Sequence, residues 1–196
     1  MKKRFLSCVA IAIFMVLMSV GSVFAADDAG KNFIANKVGI GYQGMIAGNL
    51  LNGASVRYWV GDRVGLEGNF FLGAVKATAA GQDAIDADIW SFEAKVLYAP
   101  VVRPNSKFYV GAKVGYGQFD AKLGDGTNVD IKGSDFWTPG VLVGAEWSLT
   151  SIPEVGFNFE VGYSALIYNS NKLPDDADID LRIHGVNAAI GIHYYF

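Results

Sequence analysis

The sequence predicts an all-β chain: eight antiparallel strands closing an up-and-down transmembrane barrel behind an N-terminal signal peptide. Three observations carry this. Period-two alternation of apolar and polar residues recurs from Val38 to Phe196, with no strongly helical pattern between. One parity of every alternating stretch carries no Asp, Glu, Lys or Arg, although these make up 18% of the chain. The composition is 52% hydrophobic with 24 glycines, yet past the first 25 residues no apolar run is long enough to cross a bilayer as a helix.

The chain begins with Lys2, Lys3 and Arg4, followed by an apolar core from Val9 to Met18. Ser22-Val23-Phe24-Ala25 then places small or aliphatic residues where a signal peptidase reads them. This is the pattern of a secretory signal peptide over residues 1–25, and the core is short for the alternative, an uncleaved anchor. Cleavage would put Ala26 at the mature N-terminus and remove Cys8, the single cysteine, so disulfide and thiolate chemistry are not expected. Losing Lys2, Lys3 and Arg4 takes the formal charge from −3 to −6. No basic cluster remains, which argues against nucleic acid as a partner.

Residues 26–37 read as a lead-in and 38–196 as the barrel. Val38, Ile40 and Tyr42 alternate with Gly39, Gly41 and Gln43. Val56, Tyr58 and Val60 oppose Arg57 and Trp59, and after Gly61-Asp62-Arg63 the pattern resumes as Val64, Leu66, Gly68, Phe70 and Leu72 against Gly65, Glu67, Asn69 and Phe71. The next strand sets Trp90, Phe92, Ala94, Val96 and Tyr98 against Glu93 and Lys95. The fifth sets Phe108, Val110, Ala112, Val114 and Tyr116 against Tyr109 and Lys113. Val141 to Leu149 carries Glu146 on its polar parity, and Val155 to Ala165 carries Glu160. The last strand, Val186 to Phe196, is apolar at every second position. Its length is that of a tilted strand crossing a bilayer.

Connections alternate in length. Gly61–Arg63, Ala99–Ser106 and Thr150–Glu154 are short, whereas Gly73–Asp88, Gln118–Asp135 and Ile167–Asp180 are long; Ala47–Asn52 is intermediate. Short periplasmic turns and long outer loops are the habit of outer-membrane barrels, and the even strand count puts both termini in the periplasm. Every aspartate falls outside the strands so drawn. Two aromatic belts bound an aliphatic band: Tyr98, Phe108, Trp147, Phe157, Tyr194 and Phe196 at one end, and Phe70, Trp90, Tyr116, Trp137 and Tyr163 at the other. Such girdles turn the apolar face toward lipid. In the alternative, a soluble eight-stranded carrier, that face would line the cavity.

These features together resemble the small eight-stranded outer-membrane barrels of the OmpA/OmpX type. The resemblance spans nearly the whole mature chain and implies residence in a Gram-negative outer membrane. The terminal pattern Ile190, Ile192, Tyr194 and Phe196 resembles the C-terminal signature read by the barrel assembly machinery, which would be a partner alongside outer-membrane lipids. A monomer is expected.

An eight-stranded barrel is just wide enough for side chains to fill. Arg57, Lys95 and Lys113 must then share the lumen with Glu67, Glu93, Glu146 and Glu160, and buried charges must pair. A salt-bridged plug is the expected state, with a narrow water path through exchanging pairs as the alternative. Symmetric pairing about Asp62 places Arg57 opposite Glu67, Trp59 opposite the bare backbone of Gly65, and Val60 and Val64 both toward lipid.

Neither a catalytic site nor a metal or cofactor site is expected. His193 falls on the inward parity near the periplasmic end. His184 falls on the lipid-facing parity near the outer rim, but Ser170 with Asp178 or Asp180 is a poor supply of nucleophile and acid. Asp125–Asp130 and Asp175–Asp178 lack the spacing and terminal Glu of a hand-type calcium loop. The expected role is structural or at the cell surface, serving envelope integrity or adhesion through a loop ligand the sequence does not name. A narrow solute channel and a lipid-modifying enzyme are the rivals.

Overall fold

The computed structural model describes residues 32–45, 51–79, 82–123, 129–170 and 179–196. Residues 1–25, the expected signal peptide, and 26–31 of the lead-in lie outside them. Eight strands run in chain order: β1 (Val38–Met45), β2 (Asn52–Val60), β3 (Val64–Ala79), β4 (Gln82–Arg103), β5 (Ser106–Leu123), β6 (Val129–Leu149), β7 (Ile152–Ser170) and β8 (Ile179–Tyr195). Each pairs antiparallel with its sequence neighbour, and β1 pairs with β8 from Gly39↔Tyr195 to Met45↔Ala189, closing an up-and-down barrel.

The inside and outside faces follow the alternation. Along β2, Ser55, Arg57 and Trp59 are buried while Val56, Tyr58 and Val60 are exposed. The buried set is rich in Arg, Glu, Lys and Asn, and the exposed set is apolar. This inversion of a water-soluble core is what a lipid-facing wall requires. On the wall, Trp147 stacks on Phe157 at 6.4 Å at the periplasmic end, and Tyr116 lies 5.9 Å from Trp90 and 5.1 Å from Trp137 at the other.

The β2–β3 hairpin has the register expected of its parity: Val60↔Val64, Trp59↔Gly65, Tyr58↔Leu66 and Arg57↔Glu67. Gly61 turns the chain with φ of 65°, a left-handed value that glycine adopts without strain. Trp59 covers Gly65 closely, so that a Cβ there would lie 3.1 Å from the indole ring. Val64 departs from the expectation. It keeps the outward parity but is only 6% exposed, because it sits beside Tyr98 of β4 where the wall begins.

The expected connections are too long. β4 continues past a bulge between Tyr98 and Val101, which brings Val101 to the outer face opposite Phe108, and reverses at Pro104–Asn105; β7 begins at Ile152, so Glu154 lies in a strand. The supposed outer loops are largely hairpin. β3 and β4 remain paired to Ala79↔Gln82, and β5 and β6 to Leu123↔Val129. Asp83, Asp86, Asp88, Asp120, Asp130, Asp135 and Asp180 therefore lie in strands, contrary to the expected segregation. The reason is physical. Exclusion of charge marks only the part of a strand that faces lipid, and pairing persists into water where either parity may be polar. β1 and β2 lack these extensions.

Candidate functional site

The site with the densest chemistry is the lumen. Arg57 enters it from β2 and reaches across the bore. Its guanidinium bonds Glu67 of β3 through Nε and Nη2, Glu146 of β6 through Nη1 at 3.1 Å, and Glu160 of β7 through Nη2 at 2.8 Å. Planar, forked and permanently charged, arginine suits this multiple engagement better than lysine. Lys95 of β4 completes the layer, with Nζ 2.8 Å from Glu67 and 2.5 Å from Glu160. One level outward, Lys113 lies 3.0 Å from Glu93, and Lys95 lies 3.5 Å from the other oxygen of Glu93. The structure thus brings Arg57, Lys95, Lys113, Glu67, Glu93, Glu146 and Glu160 into one connected array.

Neutral groups fill the remaining valences. Tyr109 donates to Glu160 at 2.8 Å, Gln43 donates to the other oxygen of Glu160 at 2.9 Å, and Asn69 donates to Glu67 at 2.7 Å. Glu146 accepts from the Trp59 indole at 2.9 Å and from the Tyr195 hydroxyl at 2.5 Å. Such saturation is what keeps ionised groups stable out of water.

Lys107 was not foreseen among the lumen charges. It is buried below the array, with Nζ 4.1 Å from the Trp59 ring centroid and donating to the Asp62 carbonyl at 2.8 Å. Stepping two residues back from Tyr109 along the inward parity would have found it. With Lys107, four cations face four glutamates inside the barrel among the described residues, and these charges balance.

The lead-in supplies what the sequence left blank. Residues 32–37 fold into the periplasmic mouth. Ile34 is buried in an apolar cluster with Trp59, Leu97, Ala99, Tyr109, Leu142 and Tyr195. Asn32 donates through Nδ2 to the carbonyls of Arg103 at 2.5 Å and Pro104 at 3.2 Å, and its backbone N–H donates to Asp62. Asn36 accepts the Gly61 N–H at 2.8 Å and donates its own N–H to the Trp59 carbonyl at 2.8 Å. The segment therefore ties together the β2–β3 and β4–β5 turns. Near the outer end, Phe71, Phe136 and Tyr168 are buried inside the barrel, and the Tyr168 hydroxyl donates to Ser134 at 3.1 Å.

The two histidines fall on the expected faces. His193 is buried in the lumen with Nε2 2.8 Å from Ser55 Oγ. His184 is exposed and stacks on Tyr163 at 6.3 Å. Ser170, Asp178, Asp180 and both aspartate-rich loop segments lie outside the residues whose side chains are described. Among the described residues, no group of His, Cys, Asp and Glu has the arrangement of a metal site. Along β8, Ile190, Ile192, Tyr194 and Phe196 form an exposed outward row.

The profile of the outer membrane protein beta-barrel domain family matches residues 11–196. No curated protein gives a match. Among solved structures, the chain is similar to the outer membrane protein OprG from Pseudomonas aeruginosa, with 14% identity, a TM-score of 0.51, and coverage of 84% of this chain and 98% of that one. It is also similar to Ail, the attachment invasion locus protein of Yersinia pestis, with 14% identity, TM-score 0.46 and coverage of 82% and 97%. Neisserial surface protein A shares 18% identity, with TM-score 0.46 and coverage of 82% and 94%.

Proposed function

The chain belongs to the outer membrane protein beta-barrel domain family, and from that premise we propose that it is a structural and surface-interaction protein whose bore is closed. It is an integral protein of the Gram-negative outer membrane. The observation that carries the closed bore is the position of Arg57, fully buried and joined to carboxylates of β3, β6 and β7 on facing walls. A solute passing through would have to separate these pairs, and breaking a buried pair costs about 3–5 kcal/mol. Residues 32–37 add a second barrier at the periplasmic mouth. Both support a barrel that contributes to envelope integrity and presents its outer hairpins to the cell's surroundings.

The free outward row Ile190, Ile192, Tyr194 and Phe196 serves on this reading as the assembly signal, and membrane lipids and the assembly machinery are the partners of a monomeric barrel. The lipid-modifying alternative rests on His184, whose ring packs against an aromatic residue. The channel alternative requires a conducting path past Arg57.

Planar-bilayer recording of the purified protein tests the proposal. The expected result is a silent bilayer at protein levels where a porin gives steady steps, and reproducible ohmic steps from the wild type would replace this reading with the channel.

A further inference from the structure

Residues 32–37 lead directly into β1 and cross the periplasmic mouth from one side to the other. At the β1 end they hold the Trp59 backbone: the Asn36 N–H donates to its carbonyl at 2.8 Å, and the Lys37 carbonyl accepts its N–H at 3.4 Å. At the far end Asn32 donates to the carbonyls of Arg103 and Pro104, where β4 turns into β5. In a ring of eight strands closed by β1 and β8, that turn lies diametrically opposite the seam. Strands about 4.8 Å apart and tilted about 40° make a ring roughly 16 Å across. Six residues reach about 20 Å when extended, so the segment is long enough to span it. It is a brace from the seam strand to the opposite wall.

The brace has a defined shape. Asn36 is the one non-glycine residue at positive φ among the described residues, at 59°, a conformation asparagine tolerates better than most. Its side chain accepts the Gly61 N–H at 2.8 Å and so holds the bend in place. Asn32 Oδ1 accepts the Ile34 N–H at 3.2 Å, and the Ile34 carbonyl accepts the Lys37 N–H at 3.3 Å. The turn so formed buries Ile34 among Trp59, Leu97, Ala99, Tyr109, Leu142 and Tyr195.

That pocket is a product of closure. It takes Trp59 from β2 and Tyr195 from β8. In an open sheet these strands stand six spacings apart, about 29 Å, whereas in the closed barrel only β1 separates them. The Tyr195 ring covers Gly39 of β1, where a Cβ would come within 2.7 Å of it, and its hydroxyl donates to Glu146 of β6 at 2.5 Å. The brace is continuous with the seam, because Val38 follows Lys37 and its carbonyl accepts the Phe196 N–H at 3.0 Å. Parting β1 from β8 would have to pull Ile34 from the pocket or Asn32 from the opposite turn. We propose that residues 32–37 are a latch that docks after the barrel has closed and holds the β1–β8 seam shut. This rests on the barrel fold and not on whether the bore conducts.

The test is amide hydrogen exchange, read by mass spectrometry on the barrel in lipid nanodiscs, for the wild type and the double variant Asn32→Ala with Ile34→Ala. Amides of Gly39–Met45 and Ala189–Tyr195 should exchange about tenfold faster or more in the variant, while those of β5 and β6 stay protected. Ile34→Val, which keeps the pocket nearly filled, should behave as the wild type. An interaction made only after closure changes the unfolding rate and not the folding rate. Urea unfolding of the double variant should therefore speed up by about tenfold, with refolding into vesicles within about twofold of the wild type. Heat-modifiability on gels reports whether each variant is folded; should the double variant not fold, Asn32→Ala alone carries the same comparison. Seam amides that exchange at the wild-type rate, although the Ala35–Lys37 amides have become free, would overturn the latch. So would equal acceleration in all eight strands, which is general support without a place. Slowed refolding would overturn the order in which closure precedes docking.

Discussion

Removing Arg57 should expose an unequal dependence among its three carboxylates, and the inequality can be worked out from their other partners. Glu67 keeps Lys95 at 2.8 Å and Glu160 keeps Lys95 at 2.5 Å when the guanidinium is gone. Glu146 keeps only the neutral donors Trp59 and Tyr195 within hydrogen-bond reach. Arg57→Met preserves much of the volume but leaves the interior one positive charge short, so it should cost about 3–5 kcal/mol, the cost of an unpaired buried charge. Adding Glu146→Gln restores neutrality at the carboxylate that lost its ion pair. It should recover about 1–3 kcal/mol, the range found for directly coupled residues. Adding Glu67→Gln instead should recover less, because it also strips Lys95 of a partner. The assay is urea unfolding in lipid vesicles, followed by tryptophan fluorescence, for the wild type, the single variants and both double variants. Rescue by Glu67→Gln equal to or larger than rescue by Glu146→Gln would refute the division of charge described for the lumen.

Two further outcomes follow from the wall and the mouth. Val143→Arg and Val161→Arg should each destabilise the inserted barrel by roughly 2–4 kcal/mol in the same titration, whereas Thr150→Arg in a periplasmic turn should change it by about 0.5 kcal/mol or less; similar losses at both kinds of site would mean the wall is drawn inside out. Ile34→Ala removes the apolar anchor of the lead-in, so trypsin should cut at Lys37 much faster while the barrel stays heat-modifiable. An unchanged cleavage rate would show that the backbone bonds at Asn36 and Trp59 hold the segment without it.

The membrane-embedded half of this fold was legible because lipid imposes a rule the sequence must obey at each outward position. Strand identity, facing and the β2–β3 register could all be taken from where charge is absent. The same rule is silent above the bilayer, which is why the hairpins beyond Leu72 and Gly117 read as loops although their strands stay paired. It is equally silent at the mouth. Asn32 to Lys37 carry no alternation, and nothing local marks Ile34 as the residue that fills the space among Trp59, Leu97 and Tyr195. Lys107 escapes for a different reason: the alternation is plain only from Phe108, two residues after the strand starts at Ser106, so Lys107 falls between the expected turn and the expected strand.

The lumen also explains how a barrel with short β1 and β2 strands stays shut at its seam. The β1–β8 pairing spans only Gly39 to Met45 against Tyr195 to Ala189, and β1 brings Gly39, Gly41 and Gln43 to the inside. Three contacts reinforce that region from within. Gln43 of β1 bonds Glu160 of β7, passing over β8; His193 of β8 contacts Ser55 of β2, passing over β1; and Tyr195 bonds Glu146 on β6. The first two cross the β1–β8 seam, so they become possible only once the barrel has closed, whereas the third ties β8 to β6 across β7. Glycines at 41 and 191 leave the wall bare where these side chains cross, and a Cβ on Gly41 would lie 1.8 Å from the Ile192 carbonyl oxygen. The buried charges are then more than a filling for the bore: two of the glutamates that hold Arg57 also accept the bonds that tie in the first and last strands, Glu160 from Gln43 and Glu146 from Tyr195.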